Sequence, residues 1–202
     1  MGIRIKRAAV LGAGVMGQGI AAHLANAGIP SYLFDVAPQE LTEADAAAGL
    51  TLESRKVRNR ISAAGTAAMQ KAKPALLYRP DLVSYVTPCN YEDDLGKLAE
   101  CDWIVEVVVE RMDIKQRVFA MVDEHRKPGS VVSSNTSGLS AEAMAEGRSE
   151  DFRQHFMVTH FFNPVRYMRL LEIVPIEDTD PRVFADMAWF GEHVLGKGVV
   201  YC

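Results

Sequence analysis

Residues 8–28 read AAVLGAGVMGQGIAAHLANAG. Four apolar residues, Ala8 to Leu11, have the length and character of a buried strand. Gly12, Gly14 and Gly17 follow in G-x-G-x-x-G spacing, and from Met16 to Ala27 the pattern becomes that of an amphipathic helix. Each glycine has its own use. Gly12 permits a tight turn, Gly14 removes a side chain where backbone must approach a diphosphate, and Gly17 lets the helix pack closely on the strand. Free N–H groups at the helix start, around Val15 and Met16, together with the helix dipole, favour the diphosphate charge. A second apolar run ends at Asp35, eighteen residues beyond Gly17. A carboxylate there can accept hydrogen bonds from an adenosine ribose diol and would repel a 2′-phosphate, so the expected coenzyme is NAD rather than NADP.

Outward from this stretch, apolar runs of strand length alternate with longer helical patterns. Strands are expected at 8–11, 32–34, 83–86, 103–109, 131–133, 157–161 and 170–174, and helices at 16–27, 38–69, 114–125, 141–145 and 181–195. The second helical stretch carries Gly49 and Gly65, which points to two helices or a helical hairpin. Several strands are continuously apolar, as when helices cover both faces. The pattern is that of a Rossmann-type doubly wound α/β fold, a mainly parallel sheet with helices on both faces, occupying residues 1–202 as one NAD-binding domain. The last stretch, 196–202, reads as a turn and a strand without cap or polar tail, so the chain is expected to be one part of a longer protein.

With 202 residues, 49% hydrophobic and 24% charged, the chain has the composition of a globular domain rather than a disordered one. A formal net charge of −4 gives no electrostatic reason to expect nucleic acid as a partner. Cys89, Cys101 and Cys202 show neither metal-ligand spacing nor an even framework; free thiols, a cytoplasmic setting and no metal are expected. The apolar run before Gly12 is far too short to span a bilayer, no other stretch is long enough, and Lys6 stands where myristoylation of Gly2 favours Ser or Thr.

Three further segments carry a resemblance. SSNTSGLS (133–140), HFFNPVRYMRLLEIVP (160–175) and, before them, WIVEVVVERMDIKQRVF (103–119) resemble the 3-hydroxyacyl-CoA dehydrogenases. With the glycine loop, the likeness extends over nearly the whole chain and is weakest from 36 to 80. It implies an acyl-CoA substrate, oxidation or reduction at the 3-position of the L-hydroxyacyl form, and a place in fatty-acid β-oxidation. The spelling VVVERMDIKQ and the loop EGRSEDFR (146–153) resemble the dehydrogenase part of large multifunctional β-oxidation proteins.

The residue types fit that chemistry in their own right. Oxidising a secondary alcohol needs a base for the hydroxyl proton as hydride leaves. Imidazole titrates near neutrality, which makes His160 the candidate, and Glu172 on the following strand is the carboxylate that would orient it. The resemblance assigns the same two roles. It places Ser137 and Asn163 near the substrate oxygen and the nicotinamide, and Glu110 and Lys115 at the ribose or nicotinamide end of the coenzyme. Read without it, Ser137 is a helix-cap candidate, and Glu110 and Lys115 form a charged helix start.

Arg60, at the end of the basic run ESRKVRNR (53–60), stands where the family has a CoA contact; the plainer reading of the run is a solvated helical face. His23, His125, His155 and His193 have no partner pattern and are expected to be structural. Gly138 stands where many family members carry serine. Family members continue into a helical domain that supplies a further active-site asparagine and dimer contacts, and no segment here corresponds to it. Two other readings share the glycine loop: a dehydrogenase of CoA-free hydroxy acids, and a non-catalytic NAD-sensing module.

Overall fold

A computed structural model describes residues 4–202; Gly2 lies outside them. Eight strands form one sheet: β1 (Ala8–Leu11), β2 (Ser31–Asp35), β3 (Val86–Asn90), β4 (Trp103–Glu106), β5 (Val131–Ser134), β6 (Phe156–Phe161), β7 (Leu170–Pro175) and β8 (Gly198–Tyr201). Their order is β3-β2-β1-β4-β5-β6-β7-β8. All neighbours run parallel except β6 and β7, which are antiparallel. The helices are α1 (Val15–Asn26), α2 (Glu43–Ala47), α3 (Arg55–Arg58), α4 (Arg60–Lys71), α5 (Met112–His125), α6 (Ala141–Ala145), α7 (Glu150–Gln154) and α8 (Pro181–His193).

Strand alternation divides the apolar side chains between two cores. Ala8, Val10, Leu33, Trp103, Val105, Val131 and Met157 face one layer with α1 and α8. Ala9, Leu11, Phe34, Ile104, Val132 and Phe156 face the other, with α5, α6 and α7. There Phe119 stands edge-on to Phe152 and Phe156, with centroids 5.7 and 5.2 Å away. The doubly wound architecture is therefore as expected, although α1 is buried along most of its length rather than on one face.

Three expected elements differ. The segment expected as a strand at 83–86 is the end of a 3-10 turn, Pro80–Tyr85, and the strand follows it at Val86–Asn90. That strand contains Pro88, whose missing N–H is tolerated because β3 is the sheet's edge. The run 103–109 leaves the sheet at Glu106, whose carboxylate captures the Val108 N–H at 2.7 Å and bends the chain away. The helical stretch 38–69 is broken into three helices. Thr42 and Asp45 form a reciprocal cap that starts α2 afresh, and Gly49, at φ +68°, ends it. Helix α7, not expected at all, is five residues long and capped by Ser149.

Candidate active site

The sheet's topological switch lies between β1 and β4, where successive connections leave in opposite directions; ligands of such sheets bind beyond the carboxyl ends of the strands there. A cleft of about 570 Å³ opens at this point, bordered by Gly12, Gly14, Asp35, Val36, Tyr91 and Val107 to Val109. Gly12 has φ +121°, and a β-carbon on it would lie 2.8 Å from the Val107 carbonyl oxygen. Around Gly14 the cleft reaches the backbone itself, with no atom within 4 Å of where a β-carbon would stand. No side chain caps the start of α1 and its first turn holds no acidic residue. An open, uncapped helix start beside an exposed backbone is what a diphosphate requires, so the residues present fit NAD.

Asp35 accepts the Ala13 N–H at 2.7 Å through Oδ2 and the Val36 N–H at 2.8 Å through Oδ1. The carboxylate thus ties the end of β2 to the glycine turn and keeps lone pairs toward the cleft. The exposed side chains of Val15, Val36 and Val109 stand at this end of the sheet.

A second cavity, about 380 Å³, adjoins the first through Val107 and Val108 and is lined by Met16, Glu110, Asn135, Ser137, His160 and Asn163. A third, about 360 Å³, shares Ser137 and His160 with it and adds Gly138, Leu139, Val158, Glu172 and Val174. The imidazole is therefore a wall common to both. His160 and Glu172 are direct cross-strand partners of β6 and β7, and Nδ1 of His160 lies 2.8 Å from Oε2 of Glu172. The turn that begins at Asn163 reverses the chain, and the strand register then sets the two side chains opposite each other. With Glu172 ionised, Nδ1 carries the proton and Nε2 keeps its lone pair. His160 also packs against Phe162, with ring centroids 4.4 Å apart.

Glu110 and Lys115 are brought together, and both border the second cavity. The Lys115 side chain is 1% exposed, and its ammonium is 2.7 and 2.9 Å from the two oxygens of Glu106 and 3.2 Å from Glu110. Glu110 also accepts from the Thr136 hydroxyl and from the Ser137 N–H at 3.3 Å. Burial opposes ionisation of Glu110, but the bonds from Thr136 and Lys115 prevail and hold its carboxyl below the usual range. Burial raises the Glu106 carboxyl.

Arg60 lies on α4, bonded to Asp45 and, at 2.9 Å, to the Glu40 carbonyl, and it borders none of the three cavities. Arg55 pairs with Asp94, and Arg58 with Asp93 and Glu92. The three arginines of the basic run are thus each paired with a carboxylate. The remaining histidines each bond a backbone carbonyl: His23 to Leu195, His125 to Met121, His155 to Asp151 and His193 to Trp189.

Glu106, Ser134 and Asn135 were not expected from the sequence. Ser134 donates to Glu106 at 2.5 Å, and Asn135 accepts the Phe161 N–H at 2.8 Å, tying the end of β6 to the turn after β5. A lone glutamate inside WIVEVVV was the available signal, because a carboxylate among continuous apolar residues needs a buried partner. Among the described residues, no group of three or more His, Cys, Asp and Glu side chains is placed to hold a metal, and no helix is long and apolar enough to cross a membrane.

The sequence profile of the 3-hydroxyacyl-CoA dehydrogenase NAD binding domain matches residues 7–202. A probable 3-hydroxyacyl-CoA dehydrogenase of Bacillus subtilis (strain 168) is 59% identical over 196 residues, 97% of this chain and 25% of that protein. One of Deinococcus radiodurans is 43% identical over 198 residues, 98% of this chain and 53% of that protein. The chain thus spans between a quarter and about half the length of these relatives. The crystal structure of 3-hydroxybutyryl-CoA dehydrogenase from Escherichia coli K12 superposes with a TM-score of 0.76 at 25% identity, covering 98% of this chain and 38% of that one. The glycine loop, the eight-stranded sheet and a profile match over almost the whole length agree: the chain belongs to the 3-hydroxyacyl-CoA dehydrogenase family, as its NAD-binding domain.

Proposed function

We propose that this chain is the coenzyme-binding part of an enzyme that moves hydride between NAD and the 3-position of an L-3-hydroxyacyl-CoA in fatty-acid β-oxidation, with His160 as general base. The observation that carries this reading is the His160–Glu172 pair, 2.8 Å apart, on a cavity shared with Ser137 and adjoining the glycine-loop cleft. NAD, when bound, supplies the hydride acceptor. The protein's part is to hold and move the proton. Nε2 of His160 takes the hydroxyl proton, and Glu172 fixes the tautomer and offsets the charge of the imidazolium. The Ser137 hydroxyl and the Asn163 amide donate to the substrate oxygen and hold the carbon bearing it against the coenzyme cleft. Glu110, braced by Lys115, faces the nicotinamide end, and Asp35 takes the adenosine ribose.

The relatives' greater length supports a longer parent protein whose further domain closes the cleft and supplies dimer contacts. The free thiols of Cys89, Cys101 and Cys202 suit a cytoplasmic setting.

The test joins binding to turnover. This chain is titrated with NADH and NADPH, and the full-length parent is assayed with NAD and either 3-hydroxybutyryl-CoA or free 3-hydroxybutyrate. A preference for NADH, turnover of the thioester alone, and a loss of roughly 10²- to 10⁴-fold in kcat for His160→Gln are expected. Oxidation of the free acid at an equal rate would overturn the substrate assignment. NADH binding without turnover by the parent would leave a coenzyme-sensing module.

A further inference from the structure

Lys197 is a buried cation that no carboxylate pairs with among the described residues. It follows α8, it is 6% exposed, and no ion pair involves it among the described residues. Lysine is almost never buried this far unless its charge is answered. What answers it is a loop. The ammonium donates to the carbonyl oxygens of Val165 and, at 2.8 Å, of Met168, and stands 5.8 Å from the centroid of the Phe161 ring. These carbonyls belong to the turn 163–168 that joins β6 to β7, directly between His160 and Glu172 in the chain.

That turn touches the elements that build the active site. Val165 is buried, with a methyl 2.8 Å from where a β-carbon on Gly19 of α1 would sit, so it packs onto the helix that opens at the glycine loop. Phe161 is the residue after His160. Arg166, on the other side of the turn, donates to the carbonyls of Ala75 and Leu77 at 2.7 and 3.0 Å. An inward-turned pair of carbonyls around one ammonium is the arrangement of a bound cation, here supplied by the chain itself.

We infer that Lys197 is a positioning residue of the active site: by gathering the Val165 and Met168 carbonyls it sets the turn 163–168, and with it Asn163, against α1 and the end of β6. The functional part of this inference rests on the roles proposed for Asn163 and His160; the structural part does not. Burial pushes the Lys197 ammonium down to about 8, and His23 faces it from α1. The chain therefore tolerates a desolvated charge where a leucine or methionine would fill the space, and the two carbonyls are the evident reason.

The test compares Lys197→Met, which keeps length and loses the donors, with Lys197→Arg, which keeps donors and charge. In this chain, amide exchange and chemical shifts are followed by NMR. Lys197→Met is expected to shift the 163–168 amides and speed their exchange about tenfold or more, while those of 12–17 stay unchanged and Lys197→Arg restores most of the protection. In the full-length parent, kcat is expected to fall about tenfold or more with KM for NAD within a factor of about two, again with partial rescue by arginine. Unchanged exchange in 163–168 overturns the inference, whatever the kinetics. Altered exchange in a parent whose wild type has no turnover supports the positioning role and overturns the proposed activity instead. Should Lys197→Met not fold, Lys197→Gln, which loses the charge and keeps two donors, takes its place under the same criteria.

Discussion

The carbonyl oxygen of Gly12 lies 1.8 Å from the point where a β-carbon on Gly17 would stand. The helix start and the glycine turn are therefore in backbone contact, and only hydrogen fits between them. Gly14 differs, with an extended backbone and open space around it. The two positions should separate stability from binding. Gly17→Ala is expected to cost about 1–3 kcal/mol in denaturant unfolding and to weaken NADH at least about tenfold. Gly14→Ala should leave stability within about 0.5 kcal/mol while still weakening NADH. Equal destabilisation by both would mean that Gly14 is constrained by packing rather than by the ligand.

Asp35 does two things with one carboxylate. Both oxygens accept backbone N–H groups, from Ala13 and Val36, and the remaining lone pairs face the cleft. Asp35→Ser removes the repulsion toward a 2′-phosphate but also loosens the turn at Ala13. NADH affinity is expected to fall about tenfold or more, with NADPH unchanged or slightly improved, so that the preference collapses without a strong NADPH site appearing. Parallel fluorescence titrations measure this. A variant that keeps its full preference for NADH would show that selectivity resides elsewhere.

How much of this was legible in the sequence follows from the range of the interactions. The glycine loop, β1, α1 and Asp35 are local: they depend on φ, on close approach and on a strand–turn–helix order that spacing exposes directly. His160 and Glu172 were legible as a pair on successive strands, and the antiparallel pairing of β6 and β7 makes them direct partners; the register itself could not be read from spacing. Glu106 and Lys197 were passed over because each is satisfied by groups far along the chain, Lys115 and Ser134 for one and two loop carbonyls for the other. The helical stretch 38–69 was read in part: the break at Gly49 was expected, whereas Gly65 lies inside α4 and interrupts nothing. The late start of α2 escaped notice because it is set by the reciprocal Thr42–Asp45 cap.

The Glu106–Lys115 pair is closed on nearly every side, with side-chain exposures of 0% and 1%. Breaking such a pair leaves an uncompensated charge, whereas replacing both members by apolar groups removes the problem. Lys115→Met alone is expected to cost about 3–5 kcal/mol, and the double replacement Glu106→Leu with Lys115→Met distinctly less. Denaturant midpoints of the wild type, both single variants and the double variant close the cycle. NADH affinity should still fall in the double variant, because Glu110 loses the ammonium that braces it. Additive losses across the cycle would show that the two side chains act independently.

His23 makes the fold sensitive to acid. On α1 its Nε2 donates to the Leu195 carbonyl at 2.9 Å, while Nδ1 is buried with no partner. Burial, reinforced by the nearby Lys197 ammonium, lowers its pKa from 6.5 to about 4. The unfolded chain therefore binds this proton at a higher pH than the folded one does. The stability tied to the neutral ring is fully present above pH 6.5 and is lost as pH falls toward 4, by about 3 kcal/mol in all. His23→Gln keeps a donor for Leu195 and cannot take up the proton. Urea midpoints measured from pH 7 down to 4 should fall less steeply for the variant than for the wild type, the gap opening below pH 6.5. Parallel profiles would mean that His23 can be protonated in place, with the C-terminal end of α8 yielding to let water reach Nδ1.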